Sequence, residues 1–408
     1  MNQRLLHTPQ GVRDIYGSEC QKKNVVKSKI HQVLHHYGYH DIETPTFEFF
    51  DIFNREKGTV LSNQMYKFFD RNNNTLVLRP DMTPSIARSV AKYYEEETLP
   101  LRLSYVGNTY LNKANYQGKL TEVTQVGAEL VNDNSSSADA EIIAMIVDSF
   151  LAVGLTEFRI DIGQVEFYKG LVEEAGLSQE DEEELRGFIE NKNSFGIEKF
   201  LNKLHLTGDV KEVLCNFADL YGDVEILSKA RKMTSNERSL KALERLEKVS
   251  KMLALYGYEK YVSIDLGMLT QFNYYTGIIF KGYTYGTGDA IAKGGRYDEL
   301  LSQFGKEAPS IGFVITVDEL LMALSRQSIE IPTEEGMLLL FDRIEEEKAI
   351  AKAGQLRKEG NAIALMKRYE ERSLSDYLVH CKANGIGTII YLKEDGKEEI
   401  IKVDQNEQ

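Results

Sequence analysis

The stretch TQVGAELV alternates Gln125, Gly127 and Glu129 with Val126, Ala128 and Leu130. Alternate residues of a strand share a face, so an amide and a carboxylate must project together from a sheet whose other side is apolar. Burying both is costly unless each finds a hydrogen-bonding partner. The residues just ahead, YVGNTYLNKANYQGKL, read as a partner strand and a long returning loop, giving an antiparallel pair from Tyr105 to Leu130. That cost favours a polar ligand over an inert core at Gln125 and Glu129.

The flanking sequence builds more of the same sheet. Val25, Ile30, Val33 and Leu34 fall at helical spacing, Gly38 closes that helix, and an extended stretch follows from Tyr39 to Pro45. MYKFFDRNNNTLVLRP is an apolar pair broken by an Asn run, which predicts a hairpin. SSADAEIIAMIVDSFLAVGL opens on capping residues and carries an apolar stripe to Gly154, predicting a core helix, and FRIDIGQVEFYKGLV reads as a strand turning into a helix. Strand patterns return in YVSIDLGMLTQFNYYTGIIFKGYT and PSIGFVITVDELLMALS.

Between about residues 170 and 257 Glu/Lys-rich helical patterns dominate, predicting a helical insertion with solvated acidic faces. RQSIEIPTEEG is a polar linker, beyond which strand and helix patterns alternate, as in a small α/β domain. The expected division is therefore 1–327 and 335–408, in keeping with 408 residues being too many for one small core.

Composition narrows the function. The chain has 42% hydrophobic and 27% charged residues and no apolar run of membrane-spanning length, and its N-terminal stretch lacks a basic region followed by an apolar core, so a cytoplasmic protein is expected. A net charge of -14 weighs against a nucleic-acid backbone as partner, tRNA included. Cys20, Cys215 and Cys381 form no CxxC pair, so neither a disulfide framework nor a thiolate metal site is indicated. His31 and His35 share a helix face, but the sequence offers no evident third ligand and an ordinary helix surface explains both; no metal site is expected.

Four clusters could line one pocket. In LRPDMTPSIAR, Asp81 and Thr83 supply an anion and a hydroxyl suited to a ligand ammonium group, or alternatively a plain helix cap. The second is the strand with Gln125 and Glu129. NYYTGIIF brings Tyr274 and Tyr275, a pair that more often belongs to a core than to a ligand box, though a buried hydroxyl still wants a partner. In KGGRYDELL a glycine pair leads to Arg296 and Tyr297, with neither the P-loop nor the dinucleotide spacing.

In this order, TPQGVRDIYG, YGYHDIETPTFE, MYKFFDR, LRPDMT, the strand-loop-strand, NYYTGIIF, GGRYD and IGFVITVDELL resemble the catalytic core of class II aminoacyl-tRNA synthetases, the histidyl enzymes in particular. The likeness covers nearly the whole chain. It implies an α+β fold: an antiparallel sheet flanked by helices, a helical insertion, and a small C-terminal α/β domain similar to an anticodon-binding domain. It also implies a homodimer with contacts through YGYHDIETPTFE, and a histidine pocket formed by Asp81, Thr83, Gln125, Glu129, Tyr275 and Tyr297.

The same resemblance implies that the ATP site is lost. Where the synthetases carry three arginines against the triphosphate, this chain has Leu111, Thr270 and Glu319, with Lys113 in place of a glutamate and Lys119 as a cation in the loop. Each hydrogen bond to a charged group is worth about 1.5 to 3 kcal/mol, so losing three removes activation of the amino acid. An intact amino-acid side beside a dismantled ATP side resembles the synthetase-like regulatory subunits of ATP phosphoribosyltransferase. It implies a non-catalytic chain, without cofactor, whose partner is the short-form catalytic subunit of the first step of histidine biosynthesis and whose ligand is histidine. The alternatives are an active histidyl-tRNA synthetase and a histidine-sensing module with another partner.

Overall fold

The computed structural model of the protein describes residues 6–54, 60–112, 120–269 and 275–403. Val26, Ile30 and Leu34 recur at helical spacing and are fully buried along α1 (Gly17–His36), which Gly38 closes with φ at +80°. Strand β1 (His40–Asp41) follows, then β2 (Phe47–Phe49). The Asn run forms the turn between β3 (Lys67–Phe69) and β4 (Thr75–Leu78): Asn73 takes φ of +62°, and Asp70 accepts from the backbone N–H groups of Asn72 and Asn74. Helix α2 (Thr83–Tyr93) starts with Pro84 in its first turn, where no N–H is needed.

Strands β5 (Leu101–Tyr110) and β6 (Glu122–Val131) form the expected pair, followed by α3 (Ser136–Ala152), capped by the Ser135 hydroxyl. After β7 (Phe158–Gln164) the chain is helical through α4 (Val165–Ala175), α5 (Gln179–Glu190), α6 (Ser194–Lys203) and α7 (Asp209–Cys215). The short β8 (Tyr221–Gly222) precedes α8 (Glu225–Met233) and α9 (Glu237–Leu255). Then come β9 (Val262–Asp265), β10 (Ile278–Thr284), β11 (Ala292–Arg296), β12 (Ser310–Thr316) and α10 (Val317–Arg326).

Among the described residues these strands make a nine-stranded sheet in the order β1-β5-β6-β12-β11-β10-β7-β9-β8 and a separate sheet, β2-β4-β3. The large sheet is antiparallel through its centre, as expected, but β1 joins β5 and β7 joins β9 in parallel. Strand β6 lies between β5 and β12, so both its neighbours pass Gln125 and Glu129. Its apolar alternates Val126, Ala128 and Leu130 are fully buried, and α3 packs against β6, β10 and β12. Met82, just before α2, and Ile86 and Val90 of α2 form a core cluster with Leu103, Tyr105 and Tyr297.

The chain divides into two compact units, one running through Val26–Glu330 and the other combining Asp14–Val25 with the residues from Ile331 onward. That Asp14–Val25 belongs to the second unit is not announced by the sequence. In the second unit β13 (Gly336–Phe341), α11 (Glu346–Lys358), β14 (Ile363–Lys367), α12 (Leu374–Ala383), β15 (Ile386–Leu392) and β16 (Glu398–Lys402) form a sheet ordered β14-β13-β15-β16, with β16 antiparallel. Successive residues of β13 serve opposite faces: Leu338 and Leu340 pack with Tyr377 and Cys381 of α12, while Leu339 and Phe341 pack with Ala349 and Ala353 of α11. No described helix is long and apolar enough to cross a membrane.

Candidate functional site

Glu129 projects from the middle of β6 and is 1% exposed. Its two oxygens are divided between two donors. The Thr83 hydroxyl, at the start of α2, donates to Oε1 at 2.8 Å, and the Tyr297 hydroxyl, just after β11, donates to Oε2 at 2.5 Å. Burial pushes the Glu129 carboxyl up to about 8; the bonds from Tyr297 and Thr83 oppose the rise and the Asp81 charge adds to it. Asp81 itself accepts the Thr83 backbone N–H at 3.3 Å. Asp81 thus holds the first backbone N–H of α2 from outside the helix, while the Thr83 side chain turns to Glu129.

The floor of the site is made of missing side chains. Directly opposite residues of antiparallel strands share a face, and the register sets Gly312 across from Glu129, Gly295 across from Gly312, and Tyr105 across from Gly127. A Cβ on Gly312 would lie 1.5 Å from Glu129 Oε2, one on Gly127 would lie 2.4 Å from the Tyr105 hydroxyl oxygen, and one on Gly295 would lie 2.8 Å from the Tyr275 ring. The carboxylate and two aromatic rings thus lie across bare backbone. The glycine pair of GGRYD serves this close packing, since a Cβ on Gly294 would also meet the Phe280 ring at 2.4 Å.

Asp81, Thr83, Glu129, Tyr275 and Tyr297 are brought together here. Tyr105 and Tyr297 are buried side chains of the core cluster against which Tyr275 packs. Burial first, and then the Glu129 charge, raise the phenols of Tyr105 and Tyr297 well above their ordinary value. Gln125 lies four residues earlier on the same face of β6, paired with Gly107 and Thr316 and partly exposed. Tyr105 escaped the sequence reading. The available signal was a tyrosine set opposite a strand glycine, legible only once the register of the pair is known.

Two arginines near these motifs are structural. Arg79, of LRPDMT, is 6% exposed; its Nε donates to the Asn108 carbonyl at 2.8 Å and its Nη1 to the Thr44 carbonyl at 2.8 Å. Arg296, of GGRYD, is 1% exposed and turns away from Tyr297's partner to meet Asp139 of α3, with Nη2 to Oδ1 at 2.6 Å; Arg245 of α9 reaches the other oxygen of Asp139 at 2.6 Å.

The other end of β6 is acidic. Asp318 accepts the Thr124 backbone N–H at 2.7 Å, Glu122 accepts from Asn108 Nδ2 at 2.7 Å, and Glu319 stands beside Asp318 in the first turn of α10, half-buried. Leu111 is held by its backbone N–H to the Thr121 carbonyl at 2.8 Å, with its side chain half-buried. Thr270, Tyr274, Lys113 and Lys119 lie outside the described residues. The clustered carboxylates of Glu122, Asp318 and Glu319 make this end unfavourable for a polyphosphate.

The histidyl-tRNA synthetase family model matches residues 11–320. An ATP phosphoribosyltransferase regulatory subunit of Acetivibrio thermocellus is 40% identical over 404 residues, covering 98% of this chain and 96% of that protein. A crystal structure from Bacillus halodurans C, described as an ATP phosphoribosyltransferase regulatory subunit/histidyl-tRNA synthetase, superimposes with a TM-score of 0.85 at 32% identity, covering 95% of this chain and 98% of that one. Histidyl-tRNA synthetase from Nostoc sp. PCC 7120 shares the fold, with a TM-score of 0.81 at 21% identity over 98% of this chain and 97% of that one. The chain belongs to the family of ATP phosphoribosyltransferase regulatory subunits, built on the histidyl-tRNA synthetase fold.

Proposed function

We propose that this protein is a non-catalytic regulatory subunit of ATP phosphoribosyltransferase that binds histidine at Glu129 and passes that signal to the short catalytic subunit, in the cytoplasm. The observation that carries the reading is the asymmetry along β6. One end presents a buried carboxylate ordered by Thr83 and Tyr297, with Asp81 beside it. The other end presents Glu122, Asp318 and Glu319. Asp81, Gln125 and Glu129 meet the amino group and imidazole, and Tyr275 and Tyr297 frame the ring. Gln125 and Glu129 are roughly 13 Å apart along the strand, a span that two extended side chains and one amino acid between them fill.

Regulation requires two states of the assembly with different histidine affinity, because a ligand bound equally by both shifts nothing. The exposed phenylalanines Phe47, Phe49 and Phe69 of the small sheet support a homodimer within that assembly. The experiment is an ATP–pyrophosphate exchange assay with histidine, run beside co-purification with the short catalytic subunit. No exchange and a stable complex are the expected results. Robust exchange identifies an active synthetase, and failure to co-purify removes the proposed partner.

A further inference from the structure

We propose that His31, His35 and Asp41 form a binding site for a divalent transition-metal ion of the zinc class, independent of the histidine site. The i,i+4 spacing on α1 sets both imidazoles on one helix face, with ring centroids 4.2 Å apart. Strand β1 delivers the third ligand that the sequence did not show. Asp41 Oδ1 lies 2.5 Å from His31 Nε2 and 3.0 Å from His35 Nε2. The three candidate donor atoms all fall within 4.8 Å of one another.

As a purely hydrogen-bonded cluster this arrangement is crowded. Asp41 Oδ1 also accepts from the Ser104 hydroxyl at 2.8 Å, so three donors converge on one carboxylate oxygen, which has about two lone-pair positions. A cation reverses the role of the imidazoles. Both Nε2 atoms become lone-pair donors beside Oδ1, and the Ser104 hydroxyl remains to orient the carboxylate, as outer partners of metal ligands commonly do. Tetrahedral ligands about 2.0 to 2.1 Å from the ion stand about 3.3 Å apart, so the two Nε2–Oδ1 distances of 2.5 and 3.0 Å must each lengthen by less than about 1 Å. With side chains 28% exposed at His31, 45% at His35 and 54% at Asp41, the rings have room within the chain for such a shift.

Two imidazoles and one carboxylate suit zinc, cobalt or nickel rather than magnesium or calcium, which prefer oxygen ligands throughout. Asp41 sits in register with Ser104 of β5, so the bound ion ties α1 to the edge of the large sheet.

The test uses the full chain, stripped with a chelator and titrated with Co2+ while its visible absorption is recorded. One ion binds per chain, Zn2+ displaces it and Mg2+ does not. His35→Ala and Asp41→Asn, both at exposed positions, each weaken binding by about tenfold or more, whereas His36→Ala, one residue along the helix, leaves it unchanged. Zinc raises the thermal midpoint of the wild type and not that of His35→Ala. Wild-type binding no tighter than that of His35→Ala, or an equal loss in His36→Ala, overturns the site. Histidine affinity is unchanged in these variants, so the outcome is separate from that of the proposed function.

Discussion

The Tyr297 hydroxyl meets Glu129 Oε2 at 2.5 Å, and that same oxygen occupies the space that a Cβ on Gly312 would take. One carboxylate is therefore ordered by a phenol, a threonine and the absence of a Cβ. That ordering ties its ionisation to stability and, under the proposed function, to histidine affinity.

The Glu129 carboxyl is raised from the ordinary 4.5 to about 8, chiefly by burial. The folded chain thus holds a proton that the unfolded chain has released across that interval. Its contribution to stability is fully present below 4.5 and is lost as pH rises through 8. Glu129→Gln removes this dependence. Urea unfolding of the two proteins at mildly acidic and mildly alkaline pH should show the wild type losing up to a few kcal/mol relative to the variant as pH rises.

Histidine binding at neutral pH should expel that proton, because a ligand ammonium or imidazole donor favours the ionised carboxylate. Calorimetric titrations in buffers of different ionisation heat measure the release directly. Up to one proton should leave per histidine bound in the wild type, and the release should vanish in Glu129→Gln.

Gly312→Ala would place a methyl group 1.5 Å from Glu129 Oε2, so the carboxylate must leave Tyr297 or Thr83. Each bond lost to a charged group costs about 1.5 to 3 kcal/mol, which lowers histidine affinity by roughly tenfold to a hundredfold. Calorimetry measures the loss, and far-ultraviolet circular dichroism verifies that the variant is folded.

Arg296 and Asp139 are both essentially buried, and Asp139 also binds Arg245. Asp139→Asn removes the carboxylate that both guanidinium groups share, leaving Arg296 with Asp298 at 3.2 Å, and should destabilise the chain by up to about 3 to 5 kcal/mol in urea unfolding. The Arg296→Met, Asp139→Leu pair should cost clearly less than the sum of its single substitutions.

Much of this fold is legible in local pattern. Alternation predicts β5 and β6, the Asn run predicts the β3–β4 turn, and the alternating elements after Gly336 form the second unit's sheet. What sequence does not disclose depends on register and long-range approach. Tyr105 joins the site only because it lies opposite Gly127, and Arg296 leaves it only because Asp139, far earlier in the chain, is buried beside it. Asp41 meets His31 and His35 because the turn after α1 folds β1 back along the helix, which helical spacing alone cannot reveal.

The most direct measurement is phosphoribosyltransferase activity of the short catalytic subunit with and without this chain, across a histidine titration, for wild type and Glu129→Gln. Activity should rise on mixing with either form, and histidine should inhibit the wild-type complex but not the variant one. No gain on mixing, or equal inhibition of both complexes, would contradict a regulatory subunit that senses histidine through Glu129.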